Sequence, residues 1–208
     1  MQRMSLARAY LGMQCFWGES AYAKLKGVKK TRVGYAGGTT PNPTYKSIGD
    51  HTEVTEVQFD PALMSYAQLL DFFWSHHNPA EQRKKQYQSA ILYETEDEKK
   101  IAEQSYAKAK AKYGDIETYV VKLDKFYQAE DYHQKYWLRN KKDIFNELKL
   151  NDDQVANSVL AAKMNAYCAG YTDFSELEEL KKEHGLSDSL VERVKSFASS
   201  GGDPRACH

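Results

Sequence analysis

Apolar and polar positions in the first half of the chain switch between two periods, about two residues for a strand and about 3.6 for a helix. "LARAYLGM" reads as a strand that runs into "CFWGESAYAKLKG", a helix that Gly27 would close. "TRVGYAGGTTPNPTY" is dense in Gly, Pro and Asn and reads as a loop approached by a short strand. "TEVTEVQFD" alternates, with Thr55, Val57 and Phe59 on one face and Val54, Glu56 and Gln58 on the other. After Pro61, Ser65 and Gln68 form a capping box for a helix whose Tyr66, Leu69, Leu70 and Phe73 share a face. "QYQSAILYE" predicts a strand, Thr95 and Glu98 cap a long helix running to Gly114, and "DIETYVVKL" predicts another strand. From about residue 129 the pattern is helical only, beginning with "AEDYHQKYWLRN". Further on, Asp173 pairs with Glu176 as a helix cap, and Ser189 with Glu192 caps a helix carrying Leu190, Val194 and Phe197. The order implies a mixed α+β core over residues 1–138 and an all-helical extension over 139–208, ending in the mobile-looking "SSGGDPRACH".

Composition narrows the partners. The 208 residues carry 29 basic and 29 acidic side chains, so no long-range field recruits nucleic acid or an anionic membrane. No apolar run approaches the roughly 18 residues of a membrane span, and the N-terminus lacks a secretory h-region. A soluble, cytoplasmic protein is expected. Three cysteines, Cys15, Cys168 and Cys207, are poor material for a disulfide framework, and no histidine stands at zinc spacing with them. Reduced thiols with chemistry are expected, without a metal.

Cys15 falls where the first strand becomes a helix. Unpaired N–H groups and the positive end of the helix dipole favour thiolate over thiol there, which makes Cys15 a candidate nucleophile. The plainer alternative is a small buried hydrophobe. Phe16 and Trp17 either join the core or wall a pocket beside the thiol. Glu53 shares the face of Thr55, Val57 and Phe59, where lost hydration raises a carboxyl's pKa and prepares a general acid. A strand-end residue turned to solvent is the competing picture. Tyr45 and Tyr87 each follow a loop or turn and can present a phenol O–H to a ligand. Glu130 and Asp131 suit the positive end of a helix, which leaves His133 without a role.

These segments together resemble the peptide methionine sulfoxide reductases of the A type. The likeness runs through "GMQCFWGES", "GYAGGTTPNPTY", "HTEVTEVQFDP", "SYAQLLDFFWSHHNPA", "QYQSAILY" and "FYQAEDYHQKY", in that order, over roughly residues 6–138. It implies a two-layer α+β sandwich with a split β-α-β core, and reduction of methionine S-sulfoxide, free or in proteins, to methionine. It assigns Cys15 as nucleophile, Phe16 and Trp17 as the wall for the substrate's S-methyl group, and Tyr45, Glu53 and Tyr87 as partners of the sulfoxide oxygen. A cysteine sulfenic acid would follow, then a disulfide with a second thiol, reopened by thioredoxin or a small dithiol, with no bound cofactor and a monomeric enzyme. Either Cys168 or Cys207 can be the resolving thiol. The reading leans to Cys168, whose segment belongs to the helical extension.

Two departures stand out. Gln14 occupies a position where the family usually has glycine, and "AEQRKKQYQS" lacks the family's aspartate, a role that neither Glu81 nor Gln82 takes over. The acid function then rests on Glu53. Arg83, Lys84 and Lys85 read as a solvated loop. A thiol peroxidase would use Cys15 without needing Glu53, and a peptide-binding module would need neither.

Overall fold

The computed structural model describes residues 5–13 and 15–201, with residues 15–17 described through their backbone alone. Among these residues β1 (Ala7–Gly12), β2 (Val28–Ala36), β3 (Thr52–Phe59), β4 (Ala90–Tyr93), β5 (Tyr119–Lys122) and β6 (Tyr127–Gln128) form one sheet, in the order β5-β4-β1-β3-β2-β6. Helix α1 (Cys15–Ala23) crosses from β1 to β2, while β3 lies antiparallel between those two strands. This is the split β-α-β arrangement. Helix α2 (Tyr66–Ser75) follows β3, and α3 (Glu96–Tyr113) connects β4 to its parallel neighbour β5.

Alternation along the strands divides the core between the two faces of the sheet. Ala9, Leu11, Val57, Phe59 and Ile91 meet Tyr22, Leu69, Leu70 and Phe73 from the helices, giving the two layers of the sandwich. Tyr10, Val54 and Leu92 face the other way, under Leu123 and Phe126 of the segment leading to β6. β3 is therefore covered on both faces. Its Glu56 is buried on the side away from the helices, where Arg32 and Tyr10 donate to its carboxylate.

The rest of the described chain forms α4 (Tyr136–Asn140), α5 (Lys142–Leu148), α6 (Asp152–Asn157), α7 (Val159–Cys168), α8 (Leu177–His184) and α9 (Asp188–Ser200). They enclose a second apolar cluster around Leu138, Ile144, Leu160, Met164, Leu177, Leu190 and Val194. α7 is buried from Leu160 to Cys168. Its Ala162 and Ala166, one turn apart, pack on Ala23 of α1, where small side chains let the two helices approach closely.

Several local expectations are corrected. α1 ends at Ala23, and Gly27, with φ of 102°, serves the turn into β2. "TRVGYA" is strand, because β2 pairs with β3 along its length. Gly34 within it signals a close approach, since a Cβ there would stand 2.3 Å from the Tyr127 carbonyl oxygen on β6. "QYQS" precedes its strand, and Lys85–Tyr87 form a 3-10 turn. β5 likewise begins only at Tyr119. "AEDYHQ" does not open a helix: Asp131–His133 make a 3-10 turn, and α4 begins at Tyr136. Asp173 accepts from the Ser175 N–H, and Glu176 pairs with Lys29 and Lys163, so the two do not form a capping box. α9 is capped by Ser187, with Ser189 inside the helix.

Candidate active site

The strand register determines what meets at one edge of the sheet. Leu11 pairs with Thr55, so continuing that antiparallel register brings Met13 level with Glu53. Gly12 pairs with Ala90, and Ala36 with Thr52. The start of α1, the start of β3, the turn before β4 and the loop after β2 therefore share this edge. Cys15 is the first residue of α1. The side chains of Cys15, Phe16 and Trp17 lie outside the described residues.

Glu53 is half-buried, and Gln86 donates to its Oε1 at 2.8 Å. Burial pushes its carboxyl up, the Gln86 hydrogen bond pulls it back, and the charge of Glu130 pushes it up again. Tyr35 pairs with Glu53 across β2 and β3 and points to the same face. Its hydroxyl donates to Glu130 Oε2 at 2.7 Å.

Tyr45 rides on the loop of residues 37–51, which is closed from within. Asp50 accepts from the N–H and hydroxyl groups of both Thr39 and Thr40, and the Thr40 N–H does most to hold the Asp50 carboxyl below its ordinary range. His51 accepts from the Gly38 N–H through Nδ1 at 3.1 Å and donates to the Thr40 carbonyl through Nε2 at 2.7 Å. A Cβ on Gly38 would stand 2.5 Å from Asp50 Oδ1, so glycine keeps this closure possible. The loop docks through the Tyr45 N–H, which donates to Glu130 Oε1 at 2.9 Å. The Tyr45 ring lies 4.6 Å from that of His133. The neighbouring Tyr45 hydroxyl, then burial and Glu53, push the Tyr87 phenol up to about 12. Glu53, Tyr45 and Tyr87 thus come together from a strand, a loop and a turn.

α1 is held by a buried charge pair. Glu19 lies one helical turn after Cys15, and its Oε1 meets Lys135 Nζ at 2.7 Å with neither side chain exposed. The same oxygen accepts from Thr31 Oγ1 at 3.0 Å, and Oε2 accepts from the Lys135 N–H at 3.0 Å. Lys135 Nζ also donates to the Thr31 carbonyl at 2.7 Å. Such a pair costs desolvation, which a full set of hydrogen bonds offsets. Lys135 adopts a left-handed φ of 55°, a conformation a non-glycine residue keeps only when its surroundings enforce it.

Cys168 stands apart from this group. It is the last residue of α7, buried, and belongs to the helical cluster with Leu138 and Ile144. Ala162 and Ala166 face Ala23 at the far end of α1, about 12 Å along the axis from Cys15. Cys168, two residues after Ala166, projects from the other side of α7. Burial pushes its thiol up to about 12, against a weaker pull from Lys141. Cys207 lies outside the described residues. Arg83 pairs with Glu81, and Lys85 Nζ sits 3.6 Å from the Tyr119 ring centroid, which gives part of the basic loop local partners.

Gln86, Tyr35 and Glu130 complete the site without having been singled out for it. "AEDYHQ" did signal a polar concentration, which helix-dipole reasoning misread. Glu130 instead joins two elements distant in sequence, and His133 packs its ring between those of Tyr45 and Tyr132.

The chain is similar to several known proteins. The family model described as peptide methionine sulfoxide reductase matches residues 7–164. A peptide methionine sulfoxide reductase from Drosophila melanogaster is 40% identical over 186 residues, covering 87% of this chain and 76% of the relative. MsrA from Rippkaea orientalis is 44% identical over 151 residues, covering 65% of this chain and 70% of the relative. Among solved structures, methionine sulfoxide reductase A of Corynebacterium diphtheriae superimposes with a TM-score of 0.58 at 32% identity, covering 67% of this chain and 77% of that one. Reduced Mxr1 from Saccharomyces cerevisiae gives 0.61 at 27% identity, covering 68% and 89%.

Proposed function

Because the chain belongs to the peptide methionine sulfoxide reductase family, a family of oxidoreductases, we propose that it reduces methionine S-sulfoxide, free and in proteins, through Cys15. The observation that carries this reading is the convergence of Glu53, Tyr45 and Tyr87 on the edge where α1 begins. A sulfoxide sulfur becomes electrophilic when its oxygen is protonated or strongly hydrogen-bonded. Glu53, whose carboxyl burial pushes up, supplies the proton, and the phenols of Tyr45 and Tyr87 hydrogen-bond the developing hydroxyl. Phe16 and Trp17 take the S-methyl group. The Cys15 thiolate attacks sulfur, the protonated oxygen passes to the Cys15 Sγ as the substrate's S–O bond and the transient S–S bond break, and methionine leaves with Cys15 as the sulfenic acid.

A second thiol then condenses with the sulfenic acid, releasing water and forming a disulfide, which thioredoxin or a small dithiol reopens. We assign this step to Cys207 in preference to Cys168. The burial of Cys168, its raised pKa and its position on the side of α7 turned from α1 all argue for a packing role. Residues 1–138 would hold the chemistry and 139–208 would brace it, since α7 supports α1 from behind. We read the protein as a monomer without a bound cofactor. A thiol cycle of this kind suits a reducing compartment such as the cytoplasm. Among the described residues no helix is long and apolar enough to cross a membrane.

The purified protein, given methionine S-sulfoxide and a dithiol, should release methionine, and Cys15→Ser should abolish turnover. Turnover by Cys15→Ser would overturn the proposal. Mass spectrometry after one turnover without reductant should find a Cys15–Cys207 disulfide. A Cys15–Cys168 link would overturn the choice of resolving thiol.

A further inference from the structure

Among the described residues Glu130 is the one carboxylate that binds both the loop carrying Tyr45 and the strand facing Glu53. We infer that it is a positioning residue for the reaction: its carboxylate fixes Tyr45 and sets a negative charge against the strand that faces Glu53. The inference rests on the reading of Glu53 as the acid.

The two oxygens are divided between separate elements. Oε1 takes the Tyr45 N–H at 2.9 Å, and Oε2 takes the Tyr35 hydroxyl at 2.7 Å. Tyr35 is embedded in the sheet, paired with Glu53 on one side and Tyr127 on the other, so the carboxylate moors a surface loop to a rigid strand. Internal closure by Asp50 and His51 makes the loop a stiff unit, so one anchor at Tyr45 is enough to set its position. The position matters because a misplacement of about 1 Å in a group contacting the reacting atom can cost on the order of a hundredfold in rate.

Glu130 keeps its charge. Partial burial pushes its carboxyl up, but the Tyr45 N–H, its own N–H, the Tyr35 hydroxyl and nearby His133 hold it below the ordinary glutamate range. Among the described residues its charge is the one acting on Glu53. The other described groups that meet Glu53 are uncharged, Tyr35 on β2 and Gln86 and Tyr87 in the turn before β4, and the Cys15 thiolate would add to the effect of Glu130. Asp50 faces the threonines of its own loop. A like charge opposes ionisation, so Glu53 holds its proton to higher pH and has it available when the sulfoxide oxygen needs it.

The test is the pH profile of kcat/KM for methionine S-sulfoxide with dithiol in excess, on variants shown to be folded by circular dichroism. The wild type should lose activity on an alkaline limb, and Glu53→Gln should remove that limb together with most of the rate. Glu130→Gln keeps the size and one acceptor. It should lower kcat about tenfold and move the limb down by at least about half a pH unit. Glu130→Asp and Tyr35→Phe keep the charge and disturb the mooring, so both should lower kcat with the limb in place. If Glu53→Gln leaves the limb intact, the acid reading falls and this inference falls with it. If Glu53→Gln removes the limb but Glu130→Gln changes neither limb nor rate, the inference alone is overturned. A limb shifted in Glu130→Asp as far as in Glu130→Gln would also overturn the role of the charge.

Discussion

Lys135 and Glu19 have no exposed side-chain surface, and their pair ties α1 to β2 and to the segment after β6. Lys135→Ala leaves a buried carboxylate without its counter-charge and should destabilise the fold by about 3–5 kcal/mol in urea unfolding. A double change of both residues to well-packed apolar ones should recover much of that loss; recovery of none would contradict this account of the pair. At the residue scale the sequence shows Cys15, Glu53, Tyr45 and Tyr87 because each carries a local sign: a strand-to-helix junction, a parity of alternation, or a loop end. Lys135 carries no sign, and Glu130 and Gln134 sit in a polar run whose role the local pattern does not show. Their partners lie 116, 95 and 101 positions away, at Glu19, Tyr35 and Val33, and only the closed sheet brings them near. Gln86 also acts at long range, on Glu53, although it adjoins Tyr87.

The capped, periodic helices are the elements read most directly. Ser65 with Gln68 and Thr95 with Glu98 form the capping boxes that their spacing announces, and Gly114 closes α3. The cap of α9 lies two residues before the position its pattern predicts, because Ser187 and Ser189 both satisfy the composition of a cap. Ser187→Ala should therefore cost about 1 kcal/mol, while Ser189→Ala should change stability by less than about 0.5 kcal/mol. Equal effects in thermal unfolding would contradict the assignment. Strands were harder to read. β6 is two residues long and exists through its pairing with β2, and the glycine that admits it, Gly34, looks from sequence like part of a loop. Gly34→Ala would drive a Cβ to 2.3 Å from the Tyr127 carbonyl oxygen and should detach β6. The expected readout is faster amide exchange at residues 127–129 than in the parent.

Across the whole molecule, the split β-α-β layer and the helical region behave as two apolar clusters joined through α7. The likeness to a known family made the sheet legible in outline, but single-sequence patterns did not show α7 as the buried brace, since it is buried on every side, Lys163 and Asn165 included, and so lacks an amphipathic stripe. His77 gives the fold a pH dependence. Its Nδ1–H donates to the Phe73 carbonyl and its Nε2 accepts from Ser89, and burial lowers its pKa to about 4. An unfolded histidine titrates near 6.5, so the unfolded chain takes up the proton first as pH falls. The contribution of His77 is thus complete above about 6.5 and is lost progressively toward about 4. Thermal midpoints should fall over that window, and His77→Asn should flatten the slope there. The central claim, that Cys15 takes the sulfoxide oxygen, is tested most directly by the methionine released in a single turnover of methionine S-sulfoxide without any reductant. About one methionine per chain from the parent and none from Cys15→Ser is the predicted result; an equal burst from Cys15→Ser would contradict it.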